Sequence, residues 1–267
     1  MERTIQAGAA PPCRCGRAGR WAPGGRSVPV VWTAGVERNP FLDQVREFER
    51  KVLEQEPVDA AHYDEEYFAS DWREDGNRYD LETRRRIEDR NPALIKEVFS
   101  PRQVLDVGCG PGFLMFFLDE LGVDVQGIDF SPFSRDLAPE KIRDRITIAP
   151  VAEPAAASRS FDLVVCREVV EHLTVLQIRR TVAALCDASA RFVYLTTRFH
   201  PDPRGLVDFT TEFEVDPTHI TLLAKDFVRT LFVLEGFRCR PDLEARMDWA
   251  GKDRVLVYER PPGQRAG

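Results

Sequence analysis

Four ionisable side chains stand in a pattern that suits proton transfer or metal binding. Glu168, Glu171 and His172 lie in a stretch of five residues directly after an apolar run, and His219 lies on a later loop. A histidine titrates near neutral pH, so it can take a proton from a reacting hydroxyl as a general base. Two carboxylates and two imidazoles also form a reasonable ligand set for Mg²⁺, Mn²⁺ or Zn²⁺.

We therefore predict two chemical roles for this group. The candidate catalytic residues are His172, His219 and Glu171, and the candidate metal ligands are Glu168, Glu171, His172 and His219. A third interpretation gives the group no chemistry, because either glutamate can cap a helix or hold the histidine in place. The residues alone leave all three interpretations open.

A second pattern is a glycine-rich turn between an apolar run and a helical one, Val104-Leu105-Asp106-Val107-Gly108-Cys109-Gly110-Pro111-Gly112-Phe113. Glycines let the backbone turn sharply and approach a ligand closely, and the helix that follows offers unpaired N–H groups. A dinucleotide site needs the spacing G-x-G-x-x-G/A, but the bulky Phe113 occupies its third position. The spacing D-x-G-x-G-x-G fits instead. Asp129 ends the next apolar run, where a carboxylate can accept both hydroxyls of a ribose.

The elements that must position these residues are short strands and helices in alternation. Strands are predicted at 104–107, 123–128, 146–148, 163–166, 192–196 and 255–258, and helices at 113–121, 175–184 and 225–235. This alternation predicts an α/β fold with a parallel sheet and helices on both faces. The candidate residues follow strands, and open α/β folds bind ligands at the carboxyl edge of the sheet.

A helical layer is predicted before the sheet. Apolar spacing indicates a helix from Phe41 that ends at Pro57, and two more at 81–87 and 92–99, with Asn91 as the N-cap of the last. An aromatic cluster among acidic residues, from His62 to Trp72, lies between them. The cluster either packs the layer on the core or covers a ligand cleft.

Taken together, the motifs resemble those of the class I S-adenosylmethionine-dependent methyltransferases. Residues 104–112 are similar to the first motif of that family, residues 127–131 to the acidic end of its second strand, and residues 160–173 to its fourth strand and the segment after it. The resemblance covers about residues 101–260. It implies a Rossmann-like fold with a mostly parallel seven-stranded sheet, S-adenosylmethionine as cofactor, and methyl transfer as the reaction.

The resemblance also implies the cofactor site. The backbone at 108–110 is expected to hold the methionine part, and Asp129 the ribose. The implied cofactor-binding residues are Asp106, Gly108, Cys109, Gly110, Gly112, Asp129, Phe130, Val151 and Cys166. The chain departs from the family after the third strand, where an acidic residue is common near the adenine. The sequence there is Ala149-Pro150-Val151-Ala152, so adenine recognition is expected to rely on backbone N–H groups and Glu153.

The spacing E-x-x-E-H with a distant histidine resembles the metal-ligand set of two methyltransferase groups. These are the ubiquinone-biosynthesis O-methyltransferases and the small-RNA 3′-terminal 2′-O-methyltransferases. A metal in such a set binds the acceptor oxygen and lowers its pKa. A Glu-His pair after this strand is also common in methyltransferases that use no metal, so a divalent cofactor stays one of the three alternatives.

Composition narrows the class of substrate. The chain has 37 Lys and Arg against 44 Asp and Glu, a formal net charge of −7. Residues 1–40 carry six Arg and two Glu, so the net charge of residues 41–267 is −11. An acidic body without a basic block argues against nucleic acid as a partner. No apolar run approaches the roughly 18 residues of a membrane span. Six cysteines are too few for a disulfide scaffold, which favours a cytoplasmic protein.

We therefore expect a small-molecule O-methyltransferase with a disordered tail at 1–40, a helical cap at 41–100, a cofactor-binding domain at 101–260 and a second tail at 261–267. Tyr67, Phe68 and Trp72, with the later sequence Asp-Pro-Thr-His, resemble residues of methyltransferases that act on sugars and secondary metabolites. A loop at 198–220 is expected to help close the acceptor pocket. The alternatives are a metal-assisted RNA 2′-O-methyltransferase and a non-catalytic binding protein that retains the fold.

Overall fold

The computed structural model describes residues 40–69, 79–88, 90–152, 158–202, 205–209 and 216–263. The chain divides into two compact units, Met1–Asp43 and Gln44–Gly267, and only residues 40–43 of the first are described. The tail predicted at 1–40 therefore lies almost wholly outside the described residues. Trp72 and Glu153, which were predicted for the acceptor and adenine regions, also lie outside them.

A seven-stranded sheet forms the centre of the second unit. The described strands are β1 (Gln103–Val107), β2 (Asp124–Asp129), β3 (Ile146–Ile148), β4 (Phe161–Arg167), β5 (Ser189–Thr196), β6 (Val207–Asp208), β7 (Leu222–Leu223), β8 (Arg238–Cys239) and β9 (Val255–Glu259). The order in the main sheet is β3-β2-β1-β4-β5-β9-β8. The neighbouring strands among β1, β2, β3, β4 and β5 pair in parallel, and β9 runs antiparallel to both β5 and β8. The predicted mostly parallel, Rossmann-like sheet is confirmed.

Helices cover both faces of this sheet. The described α-helices are α1 (Pro40–Leu53), α2 (Glu65–Ala69), α3 (Leu81–Glu88), α4 (Asn91–Phe99), α5 (Phe113–Glu120), α6 (Pro132–Asp136), α7 (Glu140–Arg143), α8 (Val175–Ala188), α9 (Lys225–Leu234) and α10 (Pro241–Met247). Helices α8 and α9 contribute to one apolar cluster, and α4, α5 and α10 to another. Along β4, Val164 belongs to the first cluster and Val165 to the second. Since successive strand residues point to opposite faces, the two clusters lie on opposite sides of the sheet.

The strands are read easily from the sequence because both of their faces are buried. Val104, Val107, Leu163, Val164 and Val165 are all fully buried. Strands enclosed on both sides appear as continuous runs of β-branched and aliphatic residues, which is how they were predicted. The short elements α6, α7, α10, β6, β7 and β8 were not predicted, since a few residues contain too little of a repeating pattern.

One local prediction was wrong. Arg90, and not Asn91, is the N-cap position of α4, and Asn91 is the first residue of the helix. The Asn91 amide is fully buried and donates to Glu88 Oε2 at 3.0 Å, while its Oδ1 accepts from the hydroxyl of Tyr194 at 3.3 Å. The Asn91 side chain thus belongs to a buried polar cluster and does not cap the helix.

No described helix is long and apolar enough to cross a membrane.

Candidate active site

A cavity of about 710 Å³ opens at the carboxyl edge of the parallel strands. Its walls come from the turn after β1, the ends of β2 and β4, the segment after β4 and the loop before β7. Seven of the implied cofactor residues line it: Asp106, Gly108, Cys109, Gly110, Asp129, Phe130 and Val151. His172 and His219 line the same cavity. The fold therefore brings the glycine-rich turn and the two histidines to one space.

The backbone of the glycine-rich turn adopts conformations that only glycine adopts easily. Gly108 has a φ of 73° and Gly110 a φ of 52°, both in the left-handed region. A Cβ on Gly108 would lie 2.3 Å from Cγ2 of Val169, so packing also excludes a side chain there. A Cβ on Gly110 would meet nothing closer than the Phe68 ring at 3.8 Å. The backbone at Gly110 is therefore open toward the cavity.

Two of the implied cofactor residues are not among the described residues that line the cavity. Gly112 precedes α5, and a Cβ there would lie 2.6 Å from Cδ1 of Ile142, so this glycine permits packing against α7. Cys166 is fully buried in β4 opposite Val107. The geometry gives neither residue a direct cofactor contact. Motif spacing cannot separate a glycine that faces a ligand from one that faces a helix.

Asp129 lies at the end of β2 as predicted, but its carboxylate is already engaged. Oδ2 accepts the Gly110 N–H at 2.8 Å, and Oδ1 accepts the Ser131 N–H at 2.9 Å and the Ser134 hydroxyl at 2.8 Å. Burial raises the pKa of Asp129, although these hydrogen bonds oppose the shift. A carboxylate offers about four acceptor positions. At most one therefore stays open, on Oδ2, which leaves room for one ribose hydroxyl and not for the expected two.

A buried polar cluster that the sequence analysis missed forms the floor beside Asp106. The Arg167 guanidinium donates to Glu88 Oε2 at 2.8 Å, and Arg84 donates to Oε1 at 3.1 Å. Burial opposes the charge of Glu88, but the two guanidiniums outweigh it and lower the pKa of that carboxyl. Burial raises the pKa of Asp106 to about 7, with Arg167 opposing. Arg167 could have been identified from the sequence, because it is a charged residue at the end of a largely apolar strand.

His172 is held by side chains from two other segments. Its Nδ1 lies 2.8 Å from Thr218 Oγ and 3.0 Å from the hydroxyl of Tyr63. The ring of His219 packs edge-on against it, with centroids 4.6 Å apart. Tyr63 comes from the predicted aromatic cluster, and Tyr67 and Phe68 of the same cluster also line the cavity. Both histidines therefore lie together on one wall of the cavity.

Glu171 is fully buried behind that wall. Its Oε2 accepts the Thr197 hydroxyl at 2.7 Å, while Oε1 is buried and accepts no hydrogen bond from an N–H or hydroxyl group of the described residues. Burial and the neighbouring Glu168 raise its pKa well above the ordinary range. Glu171 is not among the described residues that line the cavity, so the geometry does not support it as a residue that contacts substrate.

Three of the four predicted metal ligands come together. Glu171, His172 and His219 each offer one ligand atom, and these atoms lie within 4.8 Å of one another. Glu168 is not part of this group; its Oε2 lies 3.5 Å from Arg254. A mixed oxygen and nitrogen set suits a divalent transition ion, and such an ion would satisfy the orphaned Oε1 of Glu171. The residues present therefore fit a metal with three protein ligands and not the expected four.

Comparison with known proteins finds matches among methyltransferases. Residues 104–190 match the family model described as a methyltransferase domain. The ubiquinone biosynthesis O-methyltransferase of Paraburkholderia phymatum is 33% identical over 98 residues, which are 33% of this chain and 42% of the relative. The mitochondrial ubiquinone biosynthesis O-methyltransferase of Schizosaccharomyces pombe is 30% identical over 89 residues, 29% of this chain and 31% of the relative. The matched region thus spans less than half of each of these relatives.

A solved structure shows the same fold. A SAM dependent methyltransferase from Archaeoglobus fulgidus superposes with a TM-score of 0.51 at 16% identity, over 66% of this chain and 94% of that one. At this identity the likeness concerns the fold alone. With the matched domain, it confirms the resemblance that the four motifs indicated.

Proposed function

Since the chain has the fold and the motifs of the class I S-adenosylmethionine-dependent methyltransferases, we propose that it methylates a hydroxyl of a small molecule with that cofactor. The observation that carries the proposal is the shared cavity, which has a glycine-rich turn at one end and a pair of histidines at the other. The relatives named above are O-methyltransferases, which supports a hydroxyl as acceptor.

Different residues of the cavity suit different parts of the cofactor. The open backbone at Gly110 suits the methionine part, and the remaining acceptor position on Asp129 suits one ribose hydroxyl. Phe130 and Val151 supply apolar wall for the adenine. Asp106 offers a carboxylate to a cationic ligand, because binding of a cation would favour its ionised form.

The bound cofactor supplies a methyl group on a sulfonium, and its transfer is an in-line displacement. Catalysis therefore depends largely on holding the acceptor oxygen in line. The aromatic rings of Tyr63, Tyr67 and Phe68 on the cavity wall support this positioning role. His172 or His219 takes the acceptor proton as the new bond forms. We also propose that the described residues between 44 and 100 form the cover of this cleft.

The group Glu171, His172 and His219 supports a second way to activate the acceptor. A divalent ion held there would lower the pKa of the acceptor hydroxyl, so that the hydroxyl would lose its proton more readily and would need a weaker base. Chelation separates the two cases. If a metal is used, EDTA abolishes turnover of the wild type, and added Mg²⁺, Mn²⁺ or Zn²⁺ restores it. Unchanged turnover in EDTA would eliminate the metal.

The class of acceptor follows from charge and from the cavity walls. An acidic body argues against RNA, and an aromatic wall suits a planar or apolar scaffold such as a natural product. The thiols of Cys109, Cys166, Cys186 and Cys239 are free, which supports a reducing, cytoplasmic location.

The decisive experiment measures cofactor binding and methyl transfer separately. S-adenosylhomocysteine should raise the melting temperature of the chain, because it binds only the folded state. Asp129→Asn should weaken that binding by about 1.5–3 kcal/mol, since it loses a hydrogen bond to a charged group. Radiolabelled methyl groups should pass from the cofactor to hydroxylated small molecules but not to RNA. A chain that neither binds the product nor transfers the label would overturn the proposal.

A further inference from the structure

We infer that Asp216 and Thr218 position His172 by fixing the proton on its Nδ1, so that Nε2 is the nitrogen that acts in the cavity. The inference rests on the proposed function, for which it identifies the reacting atom of the histidine. In the sequence, Asp216 and Thr218 were noted only as part of the segment Asp-Pro-Thr-His that ends at His219. Their contacts give them a separate role.

Asp216 acts as a hydrogen-bond acceptor for Thr218. Its Oδ1 accepts both the Thr218 N–H, at 2.9 Å, and the Thr218 hydroxyl, at 2.6 Å. Its Oδ2 accepts the hydroxyl of Tyr67 at 3.2 Å. A backbone N–H can only donate, so Oδ1 is the acceptor of the bond from the Thr218 N–H and can also accept the Thr218 hydroxyl.

The proton on His172 follows from this arrangement. A threonine hydroxyl has a single hydrogen, and Thr218 gives it to Asp216. Thr218 Oγ therefore faces His172 Nδ1, 2.8 Å away, as an acceptor. If Nδ1 had no hydrogen, two lone pairs would face each other at that distance. The hydrogen of a neutral His172 must accordingly lie on Nδ1.

Tyr63 is compatible with the same assignment. Its hydroxyl oxygen lies 3.0 Å from Nδ1, and a phenol oxygen can accept a hydrogen bond as well as donate one. The hydrogen on Nδ1 can therefore be shared between Thr218 Oγ and the Tyr63 oxygen. The three side chains then satisfy one another without conflict.

The consequence concerns the other ring nitrogen. A neutral imidazole has one N–H and one lone pair, and Nε2 carries the lone pair when Nδ1 is protonated. Nε2 is thus the atom that takes a proton from the acceptor or binds a divalent ion. Histidines that bind metals or act as bases are generally oriented by a hydrogen-bond partner on the ring nitrogen that does not react.

The tautomer can be observed directly, without any activity. We would label the histidines with ¹⁵N, remove metals with EDTA, and record long-range proton–nitrogen spectra at alkaline pH, where the rings are neutral. The chain has four histidines, and His172→Asn assigns the resonances of His172. We expect Nδ1 to carry the proton in the wild type. A proton on Nε2 would overturn the inference.

A matched pair of variants tests the role of the hydroxyl. Thr218→Ser retains it, and Thr218→Val replaces it with a methyl group of similar size. We expect the Ser variant to keep the wild-type tautomer and kcat, whereas the Val variant loses the tautomer and about 10- to 100-fold in kcat. KM for the cofactor should not change in either. An unchanged tautomer in a folded Val variant would also overturn the inference.

The outcomes separate this inference from the proposed function. A wild-type chain with Nδ1–H that transfers no methyl group would overturn the function and leave the positioning of His172 supported. A chain that transfers methyl groups but holds Nε2–H would do the reverse. The wild-type spectrum decides even if Thr218→Val does not fold.

Discussion

The two ends of the cavity are built in different ways. At the cofactor end, the Gly108 and Cys109 N–H groups both donate to the carbonyl of Ile128, and the Gly110 N–H donates to Asp129. The turn at this end pairs with the end of the neighbouring strand β2. At the acceptor end, His172 meets Tyr63 and Thr218, which lie 109 and 46 residues away in the chain. The backbone turn at the cofactor end is thus encoded in a short stretch of chain, whereas the side chains at the acceptor end are brought together by the tertiary fold.

That difference explains how much of the site could be predicted. The glycine-rich turn and Asp129 follow from short spacing and the alternation of strands and helices, so both the motif and its place were predicted. The sequence could not show that Asp129 already accepts three hydrogen bonds or that Gly112 faces Ile142, because these contacts depend on the packing of α6 and α7.

At the acceptor end, residue types were predicted but their partners were not. His172 and His219 were identified as a pair, and the structure brings their rings together. The burial of Glu171 and the pairing of Glu168 with Arg254 were not predictable, because they depend on the loop that leads into β7 and on the residue before β9. Spacing along the chain gives candidates for a site; long-range packing decides which of them face it.

The largest expected effect would separate chemistry from cofactor binding. His172→Asn keeps an N–H near the position of Nδ1 but has no base at the position of Nε2. Turnover should fall about 10²- to 10⁴-fold. Affinity for S-adenosylhomocysteine, measured by calorimetry, should stay at the wild-type value because the cofactor end is intact. The exposed His62→Asn serves as control, and an equal loss of cofactor affinity in His172→Asn would break the distinction between the two ends.

The next largest effect concerns stability at the cofactor end. The pKa of Asp106 rises from its ordinary value of 3.8 to about 7 in the folded chain, chiefly because of burial. The folded state therefore holds this proton more tightly than the unfolded state does. The stability that the protonated Asp106 contributes is complete below about pH 4 and is lost as pH rises through about 7. The shift of about three pK units sets an upper limit of about 4 kcal/mol.

Asp106→Asn removes that titration. The melting temperature of the wild type without cofactor should fall from pH 5 to pH 8 relative to the variant, and the gap should be absent near pH 4. Thermal unfolding followed by circular dichroism at each pH measures it. Parallel curves for the two proteins would show that Asp106 is not protonated in the fold.

A smaller effect is expected from one methyl group at the cofactor end. Gly110 and Gly122 both have a positive φ, but a Cβ on Gly110 points into the cavity, whereas one on Gly122 meets nothing within 4 Å. Gly110→Ala and Gly122→Ala should lose a similar stability of about 1–2 kcal/mol. Only Gly110→Ala should also lose cofactor affinity, by about 1–3 kcal/mol. Equal affinities in the two variants would mean that the cofactor lies elsewhere in the cavity.

The smallest effect lies at the acceptor end and tests whether its far contacts matter. Tyr67 donates its hydroxyl to Asp216 Oδ2 at 3.2 Å, and Asp216 is linked to His172 through the Thr218 hydroxyl. Tyr67→Phe keeps the ring on the cavity wall and removes that donor alone. A bond of this kind contributes about 0.5–1.5 kcal/mol, so kcat/KM for the acceptor should fall about 2- to 10-fold. Because Tyr67 makes no hydrogen bond to the glycine-rich turn among the described contacts, cofactor affinity should be unchanged. Steady-state kinetics against acceptor and cofactor separately would show the asymmetry, and a fall in cofactor affinity equal to the fall in kcat/KM would mean that the two ends act as one unit.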